Sequence, residues 1–103
     1  MPKQYTIERR YKESEENDLF TKLKEIREKQ LLIYQEDQSS IGTKYGFLVN
    51  KPDLGCFLQL TYFLREATKR VEAAVTALNE DKPQIVNDLE EILGRQAEVV
   101  NLK

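Results

Sequence analysis

Apolar residues recur at helical spacing along much of this chain. Between Asp53 and Glu80, Phe57, Leu64, Val71 and Leu78 stand seven apart, and Leu60, Ala67 and Ala74 repeat that interval three residues further on. Two apolar positions repeating every seven residues place one seam along a helix. The spacing predicts a single long helix over 53–79, with Asp53 as its N-cap. Leu58 and Tyr62 fall on the far side of that helix and Phe63 on its flank. Its first half is therefore expected to be covered from two directions.

Two further stripes flank it. Leu19, Leu23, Ile26 and Ile33, with Phe20, Leu31 and Tyr34 beside them, predict a first helix over 15–37. Glu13, Glu15, Glu16 and Asp18 suit its start, where the backbone dipole favours negative charge, and Ser14 or Asn17 would cap it. Gln30 interrupts this stripe, and Leu32 points away from it. Ile85, Leu89, Ile92 and Val99, with Val86, Leu93 and Val100 alongside, predict a third helix over 83–101. Pro83 fits its first turn, Asp81 and Gln84 have capping-box spacing, and Gly94 falls on its outer face. Gln96 stands within its stripe. The short link at 79–82 predicts antiparallel packing of the second and third helices.

Strict alternation takes over in two places. Tyr45, Phe47 and Val49 predict a short strand over 44–50, after a turn broken at Gly42 and before a stop at Pro52. Tyr5, Ile7 and Tyr11 share one face of an N-terminal strand with Arg9 between them; a polar extension of the first helix, capped at Thr6, is the alternative. The expected fold is mainly α, a single domain of three helices built on a long antiparallel helical hairpin. One or two short strands accompany it. Wide stripes on all three helices, with Leu32, Leu58 and Tyr62 outside them, exceed what one small bundle covers, which favours a homodimer completing a coiled-coil-like bundle.

Composition narrows the chemistry. Of 103 residues, 40% are hydrophobic and 33% charged, with a net charge of −2 and few Gly and Pro, which suits one helical domain rather than a many-stranded one. The chain has no His and one Cys. That removes Ser-His and Cys-His pairs, His-based and cysteine-rich zinc sites, and an internal disulfide, and it points to the cytoplasm. Cys56 reads as a small buried residue rather than a reactive thiol. The stretch Ser39–Lys44 has the residue types of a phosphate loop in the wrong order. Glu25 with Glu28, and Asp88 with Glu91, have spacings that could serve magnesium, but they lie on or near solvated helix faces. No apolar run is long enough to span a bilayer.

Charge is uneven. Lys3, Arg9, Arg10 and Lys12 stand against Glu8 near the N-terminus, whereas acids dominate the last third. With Tyr5 and Tyr11, this basic arm offers a nucleic-acid contact. Arg65, Lys69 and Arg70 read as a solvated face. The function expected is a small non-enzymatic protein–protein interaction module, an adaptor, regulator or assembly factor acting through helix faces, without a cofactor. A nucleic-acid accessory protein using the basic arm is the alternative, and a carboxylate and magnesium enzyme the third. The candidate interaction surface comprises Arg9, Arg10, Tyr11, Lys12, Leu32, Tyr45, Phe47, Leu58 and Tyr62. Gln30 and Gln96, polar within apolar stripes, are candidate register-setting residues at a helix–helix interface.

Overall fold

The computed structural model describes residues 2–38, 43–49, 56–64, 68–78 and 81–102, with the backbone course alone for 27–38 and 43–49. The chain runs through β1 (Lys3–Tyr11), a single 3-10 turn (Glu13–Glu15), α1 (Glu16–Gln30), β2 (Leu31–Gln38), β3 (Thr43–Val49), β4 (Cys56–Phe63), β5 (Lys69–Ala77), α2 (Gln84–Leu93) and β6 (Glu98–Asn101). The strands form one six-stranded sheet in the order β2-β3-β4-β5-β1-β6. Every neighbouring pair is antiparallel.

The mainly helical expectation is therefore overturned: there is no helical bundle, no helical hairpin and no coiled coil among the described residues. The stretch expected as one helix over 53–79 forms β4 and β5. Alternation places Leu58, Leu60, Val71, Ala73, Val75 and Ala77 on one face, all buried. Of the supposed heptad seam, Phe57 is 40% exposed, Leu64 38% and Leu78 61%. The seven-residue spacing was incidental to a period of two, which governs burial in a strand. The first helix stops at Gln30, and Leu31-Leu32-Ile33-Tyr34, apolar in all directions, opens β2 with a register shift between Leu31 and Ile33. The third helix likewise stops at Leu93; Gly94 adopts φ 66° and its N–H donates to the Glu90 carbonyl at 2.8 Å. A left-handed residue closes a helix, and glycine takes it without Cβ strain. Val99 and Val100 then belong to β6. Of the extended alternatives, the N-terminal strand and the short strand near 44–50 are present as β1 and β3. The Gly42 turn, the Ser39–Lys44 loop as far as Gly42, the Pro52 stop, the Asp53 cap and Arg65 lie outside the described residues.

Register explains the core. β1 opposes β5 as Tyr5 to Val75, Ile7 to Ala73 and Arg9 to Val71. β4 opposes β5 as Leu58 to Val75, Leu60 to Ala73 and Tyr62 to Val71. These rows make one apolar face. Leu19, Leu23 and Ile26 of α1 and Ile85, Val86, Leu89 and Leu93 of α2 are buried in the same cluster, so both helices lie on this face. α1 carries the chain from β1 to the far edge at β2, four strands away. Its 15 residues span about 22 Å, close to the roughly 19 Å of four strand spacings. β2 to β5 then return as a meander, and α2 leads over to β6 on the other side of β1. No helix among the described residues is long and apolar enough to cross a membrane.

Candidate functional site

The region around the end of β1 gathers the charged side chains with the most definite geometry. Arg9 falls in an inner row of the sheet, where an apolar residue would be expected, because α2 ends above it. Its Nη1 donates to the Ile92 carbonyl at 3.3 Å, and its Nη2 pairs with Glu15 Oε2 at 2.5 Å. One guanidinium thus satisfies a carbonyl of the last helical turn, where cations are favoured, and ties it to the 3-10 turn. Glu15 is fixed in turn: Lys12 N–H donates to its Oε1 at 3.1 Å, and its own N–H donates to the Lys12 carbonyl at 2.9 Å. That bond from Lys12, then Arg9, holds the Glu15 carboxyl below the ordinary glutamate range. Lys12 rather than Ser14 or Asn17 caps this turn.

Two clefts flank Arg9. One, of about 260 Å³, has lining of mixed charge: Arg9, Ser14, Glu15, Asp18, Leu19, Lys22 and Ile92. The other, of about 400 Å³, is lined by Arg9, Arg10, Leu93, Gly94 and Arg95.

Tyr11 follows on the inner face but is enclosed. Its ring meets Phe20 edge-on with centroids 5.9 Å apart, and Phe20 meets Tyr62 at 4.9 Å. The Tyr11 hydroxyl is buried without a hydrogen-bond partner among the described residues. Burial, and then the Glu16 charge, push its pKa up to about 12. Glu16 itself, at the start of α1, receives Lys69 Nζ at 3.1 Å, which fastens the helix to the start of β5.

The sequence-selected surface is thus dispersed. Arg9 and Arg10 share a cleft with Arg95. Tyr11 and Leu58 are core, Tyr62 is half-buried in the aromatic cluster, and Lys12 is exposed at the turn. Tyr45 and Phe47 oppose Leu60 and Leu58 in the β3–β4 register, and Leu32 lies in β2; their side chains are outside the described set, as is that of Gln30, the last residue of α1. Gln96 is exposed in the connection from α2 to β6, not in a helical stripe. Pro83 is buried as the residue preceding α2 with extended ψ, and it supplies no side-chain cap. Cys56 is a buried thiol on β4. Among the described residues no three His, Cys, Asp or Glu gather as metal ligands; Glu25 and Glu91 are exposed, and Asp88 accepts from Gln84 at 3.1 Å.

Two features escaped the sequence reading. Arg95 was signalled by its place after Gly94, which ends the helix rather than decorating it. The exposed edge strand β6 is signalled by Glu98-Val99-Val100-Asn101, whose paired valines fit a helical stripe equally well. No protein-family model matches the chain, and a comparison with curated proteins finds no match.

Proposed function

We propose that this chain is a small non-enzymatic protein–protein interaction module, an adaptor, regulator or assembly factor, that works as a homodimer by extending its sheet. Helix faces do not serve this role, because the apolar sides of α1 and α2 are already buried on the sheet. The observation that carries the reading is β6. It is an edge strand of four residues, all exposed, with Val99 at 53% and Val100 at 55%.

Its backbone polarity favours a second copy. Leu102 N–H donates to the Pro2 carbonyl at 2.8 Å. By alternation Val100 and Glu98 also turn their backbone groups toward β1, and Val99 and Asn101 turn theirs outward. Opposed residues in an antiparallel ladder are of one kind, both exchanging bonds or both not. A two-fold pairing centred on Val100 meets this rule. Val99 and Asn101 of each copy exchange backbone bonds, and the two Val100 side chains meet in a close pair on the outer face. Edge strands lacking a charge or proline at their centre are templates for such pairing. A reducing compartment, the cytoplasm, is part of the proposal, with Cys56 a buried thiol.

Sedimentation equilibrium tests it. Wild-type protein is expected at twice the chain mass. Val100→Lys opposes two like charges across the axis and is expected at the single-chain mass with unchanged circular dichroism. A single-chain mass for wild type, or a double mass for Val100→Lys, would sink the reading.

A further inference from the structure

The turn that closes α2 meets the end of β1 at the cleft of about 400 Å³ lined by Arg9, Arg10, Leu93, Gly94 and Arg95. Three of these residues are arginines and none is an acid: Arg9 stands on the inner face under the end of α2, and Arg10, the next residue and on the outer face, borders the cleft at the edge of β1 beyond β6. Arg9 is neutralised by Glu15. Arg10 and Arg95 are exposed, and neither pairs with an acid among the described residues. By contrast Arg70, opposite Arg10 in the β1–β5 register, is paired with Glu8 at 3.4 Å and lies 3.7 Å over the Phe63 ring.

The backbone adds to the positive character. β6 pairs with β1 only from Lys3 to Thr6. The same alternation that turns Pro2, Gln4 and Thr6 toward β6 turns Glu8 and Arg10 to that side as well, beyond the reach of its ladder. The Arg10 N–H therefore faces the cleft side of the strand. The carbonyl end of a helix ordinarily repels an anion. Here the Ile92 carbonyl accepts from Arg9 and the Glu90 carbonyl from the Gly94 N–H, so two of its four terminal carbonyls are already answered.

We propose that this cleft binds a phosphate group, carried by a small phosphate ester or by a nucleic-acid backbone. A phosphate monoester dianion matches two unneutralised guanidiniums in charge, as do two successive monoanionic diesters of a nucleic-acid backbone, where a single carboxylate matches one. The planar fork of arginine also bonds two phosphate oxygens at once. Gly94 keeps the turn close: a Cβ there would meet no atom within 4 Å, so its role is the left-handed conformation and not the space.

The test uses the full chain and inorganic phosphate at constant ionic strength. Titration calorimetry and thermal denaturation are run on wild type, Arg10→Gln, Arg95→Gln, the double variant and Lys24→Gln as a surface control. Phosphate is expected to raise the wild-type and Lys24→Gln melting temperatures. Affinity is expected to fall about tenfold for each arginine removed, with circular dichroism unchanged. A labelled single-stranded oligonucleotide, read by fluorescence anisotropy, separates the two sources. Binding that the double variant loses assigns the phosphate to a nucleic-acid backbone, whereas inorganic phosphate binding without it assigns a small ester. No response of wild type to either probe, or an undiminished response of both single variants and the double variant, overturns the proposal.

Discussion

The two faces of the sheet are built from the same strands and have opposite fates. On the inner face the rows Leu58–Val75–Tyr5 and Leu60–Ala73–Ile7 are sealed beneath α1 and α2. On the outer face Gln4, Thr6 and Glu8 oppose Thr76, Ala74 and Glu72, and of the described outer residues of β1, β4 and β5 only Thr61 is buried. One face is held by apolar area removed from water. The other is held by cross-strand pairs such as Glu8 with Arg70, each of which contributes little. The lesson is that this sheet is half-dressed among the described residues: its stability belongs to one side, and its other side is not covered by either helix.

Substitution breaks or sharpens that contrast. Leu58→Ala, at a fully buried inner position, is expected to cost about 2 to 5 kcal/mol in urea denaturation. Phe57→Ala, one residue away on the outer face, is expected to cost under about 1 kcal/mol. Equal losses at the two positions would show that the outer face is covered after all.

A smaller effect comes from Tyr11, the inner-face residue whose hydroxyl has no partner among the described residues. Tyr11→Phe is expected to stabilise by about 1 kcal/mol, because the buried hydroxyl loses its water without a replacement. The sign with pH follows from its raised pKa, about 12 against the ordinary 10.0 of a tyrosine. The unfolded chain ionises first, so stability is whole below pH about 10 and falls as pH climbs toward about 12. Denaturation across that range should show a shallower fall in Tyr11→Phe, and an identical slope would place the phenol in water.

The smallest effect concerns Glu90, which joins the covering layer to β6. Lys82 Nζ at 2.6 Å and then the Ala97 N–H at 2.8 Å hold its carboxyl below the ordinary range. A lowered pKa stabilises above the unfolded value of about 4.5, and that contribution is lost as pH falls through the folded value. Glu90→Gln is expected to lower the neutral plateau slightly and so flatten the acid limb of a stability–pH profile, with the variant and wild type converging at low pH. An unaltered acid limb would remove Glu90 from the account.

Parts of this were legible in the residues. The alternation of Tyr5, Ile7 and Tyr11 and of Tyr45, Phe47 and Val49 marked β1 and β3. The stripe Leu19, Leu23, Ile26 marked α1, and Ile85, Leu89 with Val86 and Leu93 marked α2. Burial of Cys56 was also readable from its apolar neighbours. The basic pair Arg9 and Arg10 was visible as charge, but its companion Arg95 lies far along the chain, and only the β1–α2 contact joins them. Leu58 and Tyr62 looked like an exposed surplus because they were placed on a helix. On a strand both face inward, Leu58 fully buried in the core and Tyr62 half-buried against it.

What the amino-acid order determined alone was local: which short runs alternate, and the absence of histidine chemistry. It left Val71-Glu72-Ala73-Ala74-Val75-Thr76-Ala77 open, since alanine and valine at these positions satisfy both a seven-residue seam and a period of two. Only tertiary structure decided between them. A strand gains its backbone hydrogen bonds from neighbours distant in sequence, here β1 and β4, and those partners carry no signature in the local pattern. Once β1 lay beside β5, the period of two buried every second residue against two helices, and the heptad had nothing left to pack against.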